Sequence, residues 1–173
     1  PAAAAATMSL LRPEVLPLAL YIHIPWCAKK CPYCDFNSHA VKAPIPEAEY
    51  VAALLRDLDF ELRATPETRP LVSIFFGGGT PSLFSGAAIA AILQGVAARL
   101  AFAPGIEITL EANPGTAEAE HFAGYRAAGV NRLSMGVQSL DDRQLKALGR
   151  IHGAEEARAA VTMARAAGFD NLN

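Results

Sequence analysis

The sequence predicts an α/β fold, a parallel sheet with helices packed outside it. Two observations carry this. Four short apolar runs are each followed by a stretch whose apolar residues recur at helical spacing. The runs themselves are nearly continuous, the pattern of parallel strands covered on both faces. Two architectures satisfy this pattern: an open doubly wound sheet and a (β/α) barrel. A complete eight-unit barrel takes about 250 residues. This chain has 173, enough for about half of one.

The elements follow in order. Leu18–Ile24 (LALYIHI) reads as a buried strand. Residues 47–63 carry Val51, Leu54, Leu55, Leu58 and Leu62 on one helical face. Leu71–Phe76 is a second strand, ended by Gly77-Gly78-Gly79. Ile89, Ile92, Leu93, Val96 and Leu100 repeat the helical spacing. Ile106–Leu110 is a third strand, ended by Asn113-Pro114-Gly115. Thr116 can cap a third helix that contains His121 and ends near Gly129. Leu133–Val137 is a fourth strand, followed by a short helix near 141–148 and a longer one near 154–167. Glu155 and Glu156 sit in the first turn of the longer helix, where its dipole favours acids. Gly168 ends it, and Phe169–Asn173 looks like the approach to a fifth strand. Residues 18–173 are therefore expected to be the first four β/α units of a longer domain, cut before strand five and without the carboxyl-terminal domain. Residues 1–17, which open with PAAAAAT, are expected to be a weakly ordered or disordered segment.

Composition narrows the function. Apolar residues make up 52% and charged residues 18%, which is globular. A net charge of −2 without a Lys/Arg run argues against a nucleic-acid partner held by phosphate contacts. No run of about 18 apolar residues exists, so no transmembrane segment is expected. Leu16–Ile24 comes nearest, but it contains Pro17 and stops at Pro25. The three cysteines, Cys27, Cys31 and Cys34, fall within eight residues. An odd, clustered set makes a poor disulfide framework. It points to reduced thiols in the cytoplasm and to a metal or redox centre.

The cysteines form C-x3-C-x2-C directly after the first strand, where parallel α/β folds put their chemistry. Thiolates are the usual ligands of iron–sulfur clusters and zinc. Lys29 and Lys30 set positive charge beside these anionic ligands. Three sulfurs on a four-iron cluster leave one iron open. A zinc site wants four donors, and His23 or His39 could supply the fourth. Three buried, inert thiols are the plainer alternative. Gly77-Gly78-Gly79-Thr80-Pro81 is neither a P-loop nor a G-x-G-x-x-G fingerprint. Its glycines permit close backbone approach. Glu111 ends strand three and can accept hydrogen bonds from a ribose or an ammonium group. Tyr21 and Tyr33 flank the cysteines and can pack on a cofactor or fill core. Arg150 can pair with a carboxylate.

The stretch YIHIPWCAKKCPYCDFNSH (Tyr21–His39) resembles the cluster loop of radical S-adenosylmethionine (SAM) enzymes. More narrowly, it is similar to the oxygen-independent coproporphyrinogen III oxidase-like family. The resemblance continues through FFGGGTPSLF (Phe75–Phe84), LEANPGT (Leu110–Thr116) and GVNRLSMGVQSLDDRQLKALGRIHG (Gly129–Gly153). It implies a partial (β/α) barrel, an incomplete TIM-like barrel. The oxidases carry a further cysteine two positions after the third ligand, and here that position is Phe36. In this the chain resembles the HemW-like heme chaperone subgroup.

The resemblance implies roles by position. Cys27, Cys31 and Cys34 would hold a [4Fe–4S] cluster, with SAM on the fourth iron. Reduction would split the sulfonium into a 5′-deoxyadenosyl radical. Tyr21, Gly78 and Glu111 match positions that bind this SAM. Tyr33, Gly79, Thr80, Gln138 and Arg150 match positions that hold a second SAM in the oxidases. In the complete protein heme would be cargo for a heme-acceptor protein, and an electron donor protein would reduce the cluster. His121 and His152 receive no ligand role; heme binding is expected in the carboxyl-terminal half. Two alternatives stay open: a true oxidase converting two propionates to vinyls, and a non-enzymatic zinc module.

Overall fold

Alternate residues of the first strand split between two environments. Ile22 and Ile24 are buried, while Tyr21, the residue before Ile22, is 56% exposed. That alternation organises the whole structure, a computed structural model that describes residues 16–115 and 121–173. Strand β1 (Leu18–Ile24) is followed by two short strands, β2 (Trp26–Cys27) and β3 (His39–Ala40). Helix α1 (Glu47–Ala64), strand β4 (Leu71–Gly78), a 3-10 turn at Pro81–Leu83 and helix α2 (Gly86–Ala97) come next. Then come β5 (Phe102–Ala112), α3 (Phe122–Ala128), β6 (Arg132–Met135), α4 (Asp142–Ala147), α5 (Ala154–Ala166) and β7 (Asn171–Leu172).

The main sheet has the order β1-β4-β5-β6-β7, and every neighbouring pair is parallel. This order decides between the two architectures. A doubly wound sheet reverses direction at a switch point, whereas this sheet adds each strand on the same side. Right-handed crossovers then put all the helices on one face, which is the geometry of a partial barrel. In register, Tyr21 pairs with Phe75, Phe75 with Thr109, and Thr109 with Arg132. These residues form one row across the concave, inner face.

The core lies on the other face. Ile22, Ile24, Ile74, Phe76, Leu110 and Leu133 point from the strands into it. Ile89, Ile92, Leu93, Val96 and Leu100 meet them from α2 and the residues just after it, all buried as their spacing predicts. On α1, Val51 is buried, and Leu54, Leu55, Leu58 and Leu62 pack against the core. Ser85 caps α2 by accepting the Ala88 N–H at 3.1 Å, a cap worth about 1 kcal/mol. Glu47 at the start of α1 ties the two helices together. Its carboxylate accepts the Ser85 N–H at 2.7 Å and the Ser85 hydroxyl at 2.6 Å.

Several expectations need correction. The apolar runs are not covered on both faces, because the concave face of a partial barrel stays open. Strand β4 continues through Gly77 and Gly78, since both still pair with β1. Strand β5 begins at Phe102, earlier than its apolar run, and β6 ends at Met135. His121 is the N-cap of α3 and not an interior residue. Thr116 and residues 1–15 lie outside the described residues. The last residues already pair: Asn171 and Leu172 align with Arg132 and Leu133. Among the described residues no helix is long and apolar enough to cross a membrane.

Candidate cofactor-binding site

The chemistry gathers at the carboxyl ends of the strands, where a barrel's connecting loops converge. The cysteine loop leaves β1 and is pinched shut behind the thiols. Trp26 and Cys27 pair with His39 and Ala40. The His39 N–H donates to Pro25 at 2.7 Å, and the Val41 N–H to Cys27 at 2.8 Å. Inside this excursion the Lys30 ammonium donates to the carbonyls of Phe36 and Ser38 at 3.0 and 3.1 Å. Lys30 therefore shapes the loop, and Lys29 lines the cleft beside the thiols. All three cysteines are free. Sequence reading missed this two-residue pairing, because strands so short leave no periodicity.

The glycine segment is stitched directly to that loop. The Gly79 N–H donates to Ile24, and the Thr80 N–H to Trp26, both at 2.7 Å. A Cβ on Gly79 would sit 2.5 Å from the Trp26 carbonyl oxygen, so the backbones meet only because the side chain is missing. Gly78 is constrained twice. Its φ is +110°, and a Cβ there would lie 2.5 Å from the His23 ring.

A cleft of about 290 Å³ opens over these elements. Cys27, Cys31, Tyr33, Cys34, Gly78, Gly79, Thr80, Glu111, Gln138 and Arg150 all line it. Tyr21 does not. It lies on the concave sheet face below, its hydroxyl donating to His23 Nδ1 at 3.0 Å and its ring stacked on Phe75 at 6.3 Å. Burial pushes the Glu111 carboxyl above the usual carboxylate range, and a hydrogen bond from the Gly78 N–H works against that shift. Gln138 stands at φ 68°, the one non-glycine residue with positive φ among the described residues. Such a conformation costs energy and persists where its surroundings impose it.

Asn113 is the residue that sequence reading passed over. Its Nδ2 donates to Thr80 Oγ1 at 3.2 Å, and its Oδ1 accepts Arg150 Nη2 at 2.7 Å. The available signal was its place in LEANPGT, immediately after a strand. Arg150 reaches in from the α4–α5 connection. Its Nη2 also donates to the Gly136 carbonyl at 2.6 Å, and its Nη1 lies 3.4 Å from Cys31 Sγ.

The donor set separates the two metal chemistries. Among the described residues no three His, Cys, Asp or Glu side chains converge on a single ion. His23 is already engaged at both ring nitrogens, accepting from Tyr21 and donating Nε2–H to the Asn37 carbonyl at 2.8 Å. His39 is exposed on β3. A lone zinc needs four donors at about 2.0–2.3 Å. Three free thiols spread around a closed loop suit a polynuclear cluster, and the glycine-lined cleft beside them has room for a bound cofactor.

Fold and site together define a class: a partial (β/α) barrel with a thiolate-bearing cofactor loop on its first strand. The model of the Radical SAM superfamily matches residues 21–173. The chain belongs to that superfamily, whose cofactors are SAM and a [4Fe–4S] cluster. It is 55% identical over 164 residues to the heme chaperone HemW of Haemophilus influenzae, covering 93% of this chain and 43% of that protein. It is 56% identical over 157 residues to the heme chaperone HemW of Escherichia coli, covering 91% and 41%. Among solved structures it matches coproporphyrinogen III oxidase (HemN) from Escherichia coli, a radical SAM enzyme. That match has a TM-score of 0.79 at 30% identity and covers 91% of this chain and 36% of that one. The chain thus spans about two-fifths of the length of the curated relatives it matches.

Proposed function

We propose that this chain is the cofactor-holding part of a heme chaperone. In this reading Cys27, Cys31 and Cys34 hold a [4Fe–4S] cluster and leave one iron for SAM. Glu111 and the backbone around Gly78 receive the polar end of SAM, and Tyr21 closes the site from the sheet face. Tyr33, Gly79, Thr80, Gln138 and Arg150 line the remainder, where a second SAM would sit. When bound, the cluster supplies one electron to the SAM sulfonium. The protein's own part is to orient and to exclude water. Glu111 has acceptor capacity beyond its bond from Gly78, and its burial strengthens any ammonium or hydroxyl it meets. Heme is the cargo of the complete protein, passed to an acceptor protein, with a separate donor protein supplying the electron. A reducing cytoplasm suits a loop of three unpaired thiols.

The observation that carries the cofactor reading is the set of three free thiols on a pinched loop, opening on a cleft with Gly78 and Glu111. The chaperone reading is supported by 55–56% identity to two HemW proteins and by Phe36 at the position where the oxidases carry cysteine. The test uses the full-length protein, reconstituted without oxygen. It should hold roughly four irons per chain, and Cys27→Ala should lose them. Full-length protein should bind heme stoichiometrically. Conversion of coproporphyrinogen III to its vinyl product, with reductant and SAM present, would overturn the chaperone reading in favour of an oxidase.

A further inference from the structure

We propose that the outer side of the cysteine loop is the docking surface for an acidic, one-electron carrier protein, with Lys30 and Lys42 flanking the point of electron entry at Phe36 and Ser38. The proposal rests on the reading that Cys27, Cys31 and Cys34 hold a [4Fe–4S] cluster. The carrier is oxidised by one electron and the cluster is reduced by one; no bond forms or breaks, and no proton moves. A cofactor bound in the cleft covers the thiols on that side, so the carrier needs another approach. A second recess of about 430 Å³ supplies it, lined by Lys30, Lys42 and residues 36–40. Ser38 in its wall is buried, and its Oγ stands 4.0 Å from Cys34 Sγ. Phe36 lines both the recess and the cleft, so a single residue separates the two spaces there. Electron transfer slows steeply with distance, and this is where the path from outside is short.

Charge selects the partner. Lys29, Lys30 and Lys42 are exposed, and Asp35 is the one acid in residues 28–42. The chain as a whole carries −2. The loop is thus a positive island on a negative protein, which attracts an acidic partner and turns that partner's acidic face towards it. Phe36, 58% exposed, gives the island an apolar centre. Electron-transfer encounters are small, below about 1,200 Å², and an aromatic anchor within a charged rim suits that scale.

The surface is also held in shape before any partner arrives. Three consecutive carbonyls of the recess wall accept hydrogen bonds from side chains. Lys30 Nζ donates to Phe36 and Ser38, and His23 Nε2 donates to Asn37. The backbone N–H of Ser38 closes a further bond to Phe36 at 2.7 Å, and the β2–β3 pairing fixes His39 and Ala40. A wall already ordered loses little freedom on docking, which lowers the cost of a brief encounter.

The experiment uses full-length protein reconstituted without oxygen, with an acidic flavodoxin as the probe carrier. It measures iron per chain, affinity for oxidised flavodoxin, and the rates at which reduced flavodoxin and reduced methyl viologen, a small cation, reduce the cluster. Lys42→Glu reverses one charge at the recess. Arg56→Glu makes the same change at an exposed position of α1 and serves as the control. Lys42→Glu should weaken flavodoxin binding and slow its electron transfer about tenfold at low salt, with iron retained and the methyl viologen rate not slowed. Arg56→Glu should match wild type closely. Wild-type affinity should fall as salt rises, and that of Lys42→Glu less steeply. If Lys42→Glu does not load iron, Ala40→Glu replaces it, adding an acid at an exposed position on the same wall, and the same loss must appear. Equal losses in Lys42→Glu and Arg56→Glu overturn the inference. So do a wild-type rate indifferent to salt and a wild-type cluster that methyl viologen reduces and flavodoxin does not. Wild-type protein without iron overturns the proposed function itself, so the two failures are distinguishable.

Discussion

The backbone N–H of Gly78 donates to the carboxylate of Glu111, joining the ends of β4 and β5 on the floor of the cleft. Gly78 can do this because its φ is +110° and because no side chain intrudes on the His23 ring. Gly78→Ala therefore meets two penalties, a left-handed backbone and a contact of 2.5 Å with an imidazole held at both nitrogens. The expected loss is about 1–3 kcal/mol of stability, read as a lower urea midpoint of the full-length protein. SAM affinity should fall with it, because Glu111 loses its anchor. An Ala variant with wild-type midpoint and wild-type SAM affinity would show that neither constraint acts.

Tyr125 governs the same cleft from below. Its hydroxyl is buried and donates to the carbonyls of Ser82 and Phe84 at 2.7 and 2.8 Å. Those carbonyls belong to the 3-10 turn that follows Thr80, so the tyrosine fixes the turn behind the glycine segment. Tyr125→Phe keeps the ring and removes the donor. The cost is expected at about 1–3 kcal/mol, the penalty of leaving buried acceptors unsatisfied. Thermal or urea unfolding of the full-length variant measures it. A change within experimental error would mean that water replaces the hydroxyl.

Much of this arrangement was legible in the chain. Ile89 to Leu100 announced a helical face, and every one of those apolar positions is buried. The cysteine spacing, the three glycines and Glu111 marked the strand ends, where local sequence and function coincide. The rest depended on partners distant in sequence. Strand β4 runs into Gly77 and Gly78 because β1 is there to pair with them, which glycine's turn preference conceals. Tyr21 falls on the open concave face because side chains alternate along a strand, and LALYIHI looks uniformly apolar. Arg150 meets Cys31 only after three crossovers have closed, and nothing in a local window records that contact.

The contact between α2 and α3 offers an asymmetric test. A Cβ on Gly86 would lie 2.9 Å from the backbone of Gly124, whereas a Cβ on Gly124 would find its nearest atom, Gly86 Cα, at 3.4 Å. Backbone cannot move aside as a side chain can. Gly86→Ala should destabilise by about 1–3 kcal/mol through overpacking. Gly124→Ala sits inside α3, where alanine gains about 1 kcal/mol of helix propensity over glycine. It should therefore be neutral or slightly stabilising. Paired urea unfolding curves of the two full-length variants decide the matter, and equal losses would contradict the asymmetry.

His152 supplies the pH dependence. Burial holds its imidazole below the ordinary histidine value of 6.5, and the Arg150 guanidinium acts in the same direction. The bond to Val137 and the nearby Glu156 carboxylate oppose the shift. Nδ1 is buried without a partner, so the neutral ring carrying its proton on Nε2 is the form that fits. In the unfolded chain the ring takes a second proton near 6.5, and in the folded protein it does so at lower pH. Its contribution is therefore fully present above 6.5 and is lost as pH falls from there through the folded value. His152→Gln can keep a donor to Val137 and does not titrate. The full-length variant should be less stable than wild type at neutral pH, and the gap should narrow steadily below 6.5. Urea midpoints of both proteins across that range measure it. The other histidines titrate alike in both, so they cancel in the difference, and a gap constant at every pH would show that ionisation of this ring is not coupled to folding.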